Sequence, residues 1–155
     1  MSSSERWYRN GLRFECGRCG HCCRGAGNVW ISDAEIASLA RALEVSDDEL
    51  RALYTRRVGR RGIVLRQKRN QDCVFWHSDS GCQIYAQRPR QCRSYPFWDA
   101  VVRSRESWEA EASCCPGIGR GAPHPASSIE VSAADDGIPR RRTRLQGREE
   151  GREEV

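Results

Sequence analysis

Residues 16–23 read CGRCGHCC, which places four thiols within eight positions at the spacing C-x2-C-x2-C-C. The chain has nine cysteines, and the remaining five all lie before residue 116: Cys73, Cys82, Cys92, Cys114 and Cys115. In a reducing compartment, thiols this dense bind metal more often than they bind each other. An odd number also cannot pair completely within one chain. We therefore expect bound metal, held by thiolates, to decide the fold.

The composition predicts one small domain followed by a tail. Hydrophobic residues make up 38% of the 155 residues and charged residues 30%. A core this thin usually depends on disulfides or metal for stability. We assign residues 5–119 to a cysteine-cluster domain. Residues 120–155 hold seven arginines, seven acidic residues and no aromatic residue, and this composition predicts a disordered charged tail.

The charge and the N-terminal sequence indicate location and partners. Residues 1–7 lack the apolar segment of a secretory signal, and no apolar run is long enough to span a bilayer. We expect a cytoplasmic protein without a membrane partner. The formal net charge is +5, but it falls to about +1 once eight thiolates and two divalent ions are counted. Nucleic acid is therefore a disfavoured partner on overall charge, and no protein partner can be named.

Local patterns predict an α+β fold. Residues 32–35 and 46–49 each read as a helix capping box, and apolar residues follow at helical spacing. These two helices should form a hairpin. Residues 63–65 are β-prone, and residues 73–76 and 82–85 flank a turn, which together predict a short antiparallel sheet. The remaining cysteines should lie on long loops.

The metal chemistry follows from spacing. Zinc and ferrous iron prefer thiolate ligands, and the C-x2-C-x2-C run can direct three of them, Cys16, Cys19 and Cys22, toward one ion. Adjacent side chains rarely point at one atom. We therefore expect Cys23 to serve a second site, and we expect Cys115 rather than Cys114 to be a ligand. We interpret His21 as exposed or as an outer contact of the site, and His77 and His124 as weaker candidates.

Iron–sulfur ligation is an equal alternative to zinc. Three close thiols and a distant Cys-Pro pair, Cys115-Pro116, resemble the run that holds iron–sulfur clusters in bacterial ferredoxins. The chain departs from that run because Cys23 follows Cys22 directly. We expect aromatic side chains to shield the metal from water: Trp30, Phe75, Trp76, Phe97 and Trp98.

Several sequence blocks together carry a family resemblance. They are the CGRCGHCC run, CVF at 73–75, CQIYAQRP at 82–89, CRSYPF at 92–97 and CPGIG at 115–119. With these blocks the chain resembles the CxxCxxCC cysteine-cluster (YkgJ-type) family of zinc- or iron-chelating domains. The resemblance implies eight metal-binding thiols: Cys16, Cys19, Cys22, Cys23, Cys73, Cys82, Cys92 and Cys115. Cys114 is extra to that set.

The resemblance implies metal chelation without fixing a reaction. The leading prediction is a protein that binds zinc or iron at two sites, one with Cys16, Cys19, Cys22 and Cys115, the other with Cys23, Cys73, Cys82 and Cys92. One alternative is an iron–sulfur redox protein or a component of a protein-modifying enzyme, since bacterial flagellin lysine methylases carry a similar cluster. The other is a zinc-ribbon-like binder of nucleic acid or protein. Whether the protein is an enzyme stays open.

Overall fold

The computed structural model describes residues 6–20, 23–24 and 27–140. The strands are β1 (Leu12–Phe14), β2 (Trp30–Ile31), β3 (Thr55–Val58), β4 (Gly62–Leu65), β5 (Trp76–His77), β6 (Gly81–Cys82) and β7 (Ile118–His124). The helices are α1 (Asp33–Leu43), α2 (Asp47–Tyr54), α3 (Arg90–Ser94), α4 (Asp99–Val102), α5 (Arg105–Ala112) and α6 (Ala126–Ala134). A 3₁₀ turn covers Tyr85–Gln87. The predicted α+β class is confirmed.

The two predicted helices form where the serines cap them. The Ser32 side chain accepts a hydrogen bond from the Glu35 backbone N–H, and Ser46 makes the complete reciprocal box with Glu49. Each bond satisfies an N–H that would otherwise lack a partner in the first turn. In α2, Leu50 is buried, whereas Leu53, which we expected on the same apolar face, is 60% exposed. Leu50 lies in a hydrophobic cluster with Tyr54 packed against it, whereas Leu53 is on the solvent side of this short helix.

The described strands form three small antiparallel sheets. Their orders are β1-β7, β2-β4-β3 and β5-β6. The β-prone segment 63–65 lies in β4, the central strand of the second sheet. The predicted hairpin around residues 78–81 is present as β5 and β6, where Trp76 pairs with Cys82. The hairpin is shorter than the sequence suggested, because Cys73 lies before β5 and forms an isolated β-bridge with Gln67 instead of belonging to the strand.

Two separate hydrophobic clusters replace the single core that we expected. The first, called here the central core, contains Ile31, Ile36, Leu39, Ala40, Leu50, Leu65, Phe75 and Ile84. The second, the terminal core, contains Tyr8, Phe97, Val101, Val102, Trp108, Ala126, Ile129 and Ala133. Within the part of the chain that the structure describes, no helix has the length and apolar character that crossing a bilayer requires.

The prediction of a disordered tail from residue 120 is wrong for residues 120–140. Strand β7 extends through this boundary and pairs with β1, and α6 buries Ile129 in the terminal core. The composition was misleading because a short helix needs few apolar residues when its partners come from distant sequence. Residues 141–155 lie outside the described residues, so the rest of the tail prediction stays a prediction.

A buried carboxylate joins this C-terminal segment to the domain. Asp136 is only 1% exposed, and its carboxylate accepts hydrogen bonds from the backbone N–H groups of Asp99 and Ile138 at 3.0 Å each. Arg140 lies 3.4 Å from the same carboxylate. A negative group at the first residue of α4 is favourable because the unpaired N–H groups there carry partial positive charge. Residues 135–140 therefore belong to the folded domain.

Replacing Ile129 with alanine should destabilise the domain by about 2–5 kcal/mol, because the side chain is fully buried in the terminal core. Val131 lies on the same helix but is 67% exposed, so Val131→Ala should change the free energy of unfolding by less than about 0.5 kcal/mol. Urea unfolding of the two variants measures the difference. Equal effects would show that α6 is not packed on the terminal core.

Candidate metal centre

A cavity of about 290 Å³ lies between the central and terminal cores. Leu65 and Ile84 of the central core contribute to one side of it, and Phe14 and Tyr95 to another. Phe14 also packs against the terminal core and meets the Tyr95 ring edge-on at 6.2 Å between centroids. The cavity therefore lies at the junction that holds the two halves of the domain together.

Most of the predicted thiols line this one cavity. They are Cys16, Cys19, Cys23, Cys73, Cys82, Cys92 and Cys115. Cys22 and His21 lie outside the described residues. Cys115 is 4% exposed, whereas the neighbouring Cys114 is exposed and does not line the cavity. The side chains of Cys114 and Cys115 therefore point in different directions.

The loop that carries Cys16 and Cys19 turns back through unusual backbone angles. Arg18 and Gly20 have φ values of 54° and 83°, both in the left-handed region. A Cβ atom on Gly20 would lie 2.3 Å from the Trp76 ring, whereas one on Gly17 would meet nothing within 4 Å. Glycine at 20 is thus required by the backbone and by the close approach of Trp76. The contact holds the loop against the β5-β6 hairpin.

Three thiol-bearing segments meet at Cys23. The Cys73 backbone N–H donates to the Cys23 carbonyl at 2.7 Å. The Cys23 side chain hydrogen-bonds to the Cys82 sulfur, and this bond is the main cause that lowers the Cys82 pKa from 9.0 to about 6. Burial acts in the opposite direction, while the Ile84 N–H and the Arg88 charge add to the lowering. Cys82 is therefore largely a thiolate at neutral pH.

Two arginines flank a tyrosine beside the cavity. The guanidinium carbons of Arg18 and Arg88 each lie 3.9 Å from the centroid of the Tyr85 ring. Arg88 also donates from Nε to the Tyr85 carbonyl at 2.9 Å. Stacking on the electron-rich ring stabilises both cations, and all three residues line the thiol cavity. They place positive charge next to groups that become negative when deprotonated.

A buried tyrosine, Tyr95, contacts the Cys115 thiol. The Tyr95 hydroxyl hydrogen-bonds to the Glu111 carboxylate and also to Cys115. Burial, followed by these contacts, raises the Tyr95 pKa well above its ordinary value, so the phenol remains protonated. The sequence analysis did not identify Glu111. Glu111 and Cys115 are four residues apart at the C-terminal end of α5, where the Cys115 N–H donates to the Glu111 carbonyl.

The thiols surround the cavity without converging on a point. Among the described residues, no three cysteine, histidine or acidic side chains are close enough together to hold an ion. The histidines outside the loop have other roles: His124 contacts the Phe14 carbonyl at 3.0 Å through Nε2, and His77 lies in β5. The chemistry of the donors still fits a soft metal, because thiolate is the preferred ligand of zinc and iron.

Two further expectations need correction. Of the aromatic residues predicted to shield the metal, only Trp76 lines the cavity, and the others in the wall are Phe14, Tyr85 and Tyr95. Trp30, Phe75, Phe97 and Trp98 pack elsewhere in the domain. Cys92 lies in helix α3 rather than on a loop. This helix starts directly after Pro89, whose fixed φ suits a helix start.

Comparisons with known proteins assign the chain to a family. The chain is 29% identical over 92 residues to an uncharacterized protein of Methanocaldococcus jannaschii. The match covers 58% of this chain and 48% of that protein, so the chain corresponds to less than half of its relative. No solved structure matches. Residues 15–116 match the model of the CxxCxxCC family, described as a "putative zinc- or iron-chelating domain", and the chain therefore belongs to that family.

Proposed function

We propose that this domain binds zinc or iron through the thiolates that line the cavity between its two cores. The observation that carries the proposal is the placement of seven thiols from five separate segments around a single cavity. Buried or half-buried thiols that served only for packing would be spread through both cores. Membership of a zinc- or iron-chelating family supports the same function. A reducing compartment such as the cytoplasm would keep these thiols available.

The charges around the cavity support thiolate ligation. Arg18 and Arg88 offset negative charge beside the cavity. Because the pKa of Cys82 is low, few protons have to leave this thiol when metal binds. Tyr95 contacts Cys115 and would orient that ligand. Bound zinc would supply structural stability alone, whereas bound iron or an iron–sulfur cluster would add one-electron chemistry.

The size of the cavity supports more than one metal ion. A volume of about 290 Å³ is many times the roughly 10–15 Å³ that a single water requires. We propose two sites in this cavity. Cys23, Cys73, Cys82 and Cys92 form one, which is supported by the contacts of Cys23 with Cys73 and Cys82. Cys16, Cys19, Cys22 and Cys115 form the other. A single iron–sulfur cluster is the second candidate, because the same volume suits a polynuclear centre.

Removing one ligand from each proposed site should remove about half of the metal. Cys16→Ser and Cys73→Ser, purified separately without oxygen, should each lose one of two equivalents, because each breaks one four-coordinate site. Cys114→Ser is the matched control, since that exposed thiol lies outside the cavity and should keep all of the metal. Elemental analysis gives the stoichiometry, and the visible spectrum separates colourless zinc from coloured iron–sulfur protein.

Complete loss of metal from either single variant would reject the two-site partition and favour one polynuclear centre. Absence of stoichiometric zinc or iron from the wild-type protein would reject the proposed function itself.

The Cys82 thiol should react as a thiolate in metal-free, reduced protein. Its alkylation rate should rise with a midpoint near pH 6, measured by mass spectrometry of the labelled peptide. Arg88→Gln should shift that midpoint upward, because the guanidinium stabilises the thiolate. Arg103→Gln, at an exposed position on α4's C-terminal side, should leave it unchanged. An Arg88→Gln protein with the wild-type midpoint would contradict this assignment.

The same shift links pH to stability. A folded-state pKa below 9.0 means that the folded protein binds fewer protons than the unfolded chain between about pH 6 and pH 9. The contribution of Cys82 to the stability of metal-free protein is therefore complete above pH 9 and is lost as the pH falls through 6.

Gly20→Ala should weaken metal retention, whereas Gly17→Ala in the same loop should not. Alanine at a left-handed position costs about 1–2 kcal/mol, and its Cβ would also clash with Trp76. The clash would move Cys19 away from the cavity. Competition with a chromogenic chelator measures the rate of metal release from both variants. Identical release rates would show that the contact between Gly20 and Trp76 does not position the ligands.

A further inference from the structure

Positive charge is concentrated in one short segment. Residues 50–71 contain eight of the 26 basic residues of the chain and none of its 21 acidic residues. The remaining 133 residues therefore hold 18 basic and 21 acidic residues. The moderate net charge of the whole protein conceals this separation.

The fold presents most of these cations on one exposed hairpin. Strands β3 and β4 pair in register from Thr55–Leu65 to Val58–Gly62, and the chain then continues to a turn at residues 68–71. Seven cations of the segment are exposed, and we call them the basic hairpin surface: Arg56, Arg57, Arg60, Arg61, Arg66, Lys68 and Arg69. The surface includes β3, an edge strand of its sheet, and is thus accessible to a partner.

The cations of this surface are not neutralised by carboxylates of the described chain. The eighth cation, Arg51, is paired with Asp33 at 2.9 Å. In contrast, Arg56 donates to the neutral amide of Asn28, Lys68 donates to the Trp76 carbonyl, and Arg61 lies 5.1 Å from the Trp30 ring centroid. Among the described residues, no carboxylate forms an ion pair with any of the seven. Side-by-side cations repel one another, and a polyanion that contacts several of them relieves that repulsion.

We propose that the basic hairpin surface binds the phosphate backbone of double-stranded nucleic acid without sequence preference. Six of the seven cations are arginines, whose guanidinium groups match phosphate oxygens in a bidentate geometry. β2 pairs with β4 at Ile63 and Val64, and beyond these residues, at the Val58–Gly62 pair, the hairpin is a two-stranded ribbon of the width that a major groove admits. Contacts to phosphates carry no sequence information, so binding depends on charge and shape alone.

Other polyanions fit this surface less well. Single-stranded nucleic acid is usually held by exposed aromatic rings on which bases stack. The aromatic residue in segment 50–71, Tyr54, instead packs on Phe75 at 4.9 Å between centroids. An acidic protein partner would normally need an apolar anchor near the centre of its interface. Residues 56–69 expose no large hydrophobic side chain, since the exposed ones in the described chain are Leu53 and Val131.

The test measures binding of the full-length, metal-loaded protein to a fluorescent 20-base-pair DNA duplex over a range of salt concentrations. If about five cations contact phosphates, log K should fall with log salt at a slope of about −4 to −5. The triple variant Arg57→Gln, Arg60→Gln, Arg66→Gln should reduce the magnitude of that slope by about 2–3 and weaken binding at least about tenfold in low salt.

A matched control carries the same loss of charge in other elements. Arg9→Gln, Arg41→Gln, Arg120→Gln removes three exposed arginines outside the segment and should keep the wild-type slope. Circular dichroism and metal content of both triple variants establish that each is folded and loaded. Duplex binding and metal content are measured separately on the same metal-loaded protein. Failure to bind the duplex would therefore leave the proposed metal binding unaffected.

Four outcomes would overturn the proposal. The first is no binding of wild-type protein in low salt. The second is an equal loss in both triple variants, which would reflect overall charge or the C-terminal arginines. The third is tighter binding of a single-stranded oligonucleotide of the same length. The fourth is tighter binding of a polyglutamate peptide at the same salt concentration, which would indicate an acidic protein as the partner.

Discussion

The constraint on which this domain depends is the placement of seven thiols around one cavity. As metal-binding thiolates these groups would repel one another, and the apolar side chains of the cavity wall would reduce the screening that water provides. A bound cation relieves this repulsion, because it converts the thiolates from competing charges into shared ligands. The same cavity lies between the two hydrophobic cores. A metal bound there would therefore also link the two cores, as we propose.

The protein reduces this repulsion from both sides of the cavity. The guanidinium groups of Arg18 and Arg88 stack on the ring of Tyr85. The ring holds both cations beside the cavity, and no carboxylate is needed for this. On the other side, Tyr95 stays protonated and contacts Cys115. Of these groups, Arg88 lowers the pKa of the Cys82 thiol in the metal-free protein. Among the described residues, no three ligands are close enough together to hold an ion, and we propose that metal binding would draw them together.

Local signals were sufficient to predict some of these features. The capping serines of α1 and α2, the apolar spacing of α1, the β-prone segment in β4 and the turn between β5 and β6 all depend on neighbouring residues, and each of these predictions is confirmed. The order of α6 could not be predicted, because the buried core partners of Ile129 outside α6 lie 21 or more positions earlier, and Asp136 is bound to Asp99, 37 positions away. The cavity wall was mispredicted for the same reason. Aromatic side chains in sequence near a cysteine, such as Phe97, turned into the terminal core.

The two groups of arginines show why overall charge was a poor guide to partners. Beside the thiols, Arg88 stacks on the Tyr85 ring and donates to the Tyr85 carbonyl. Its charge therefore lies next to the cavity rather than on the outer surface. On the β3-β4 hairpin, most guanidiniums face water with no carboxylate among the described residues to neutralise them. The formal net charge adds both groups of arginines to the more acidic rest of the chain. The result is moderate and describes neither group. Charge becomes informative only after the fold has assigned each arginine to an inner or an outer surface, because a phosphate backbone responds to local potential within about a Debye length.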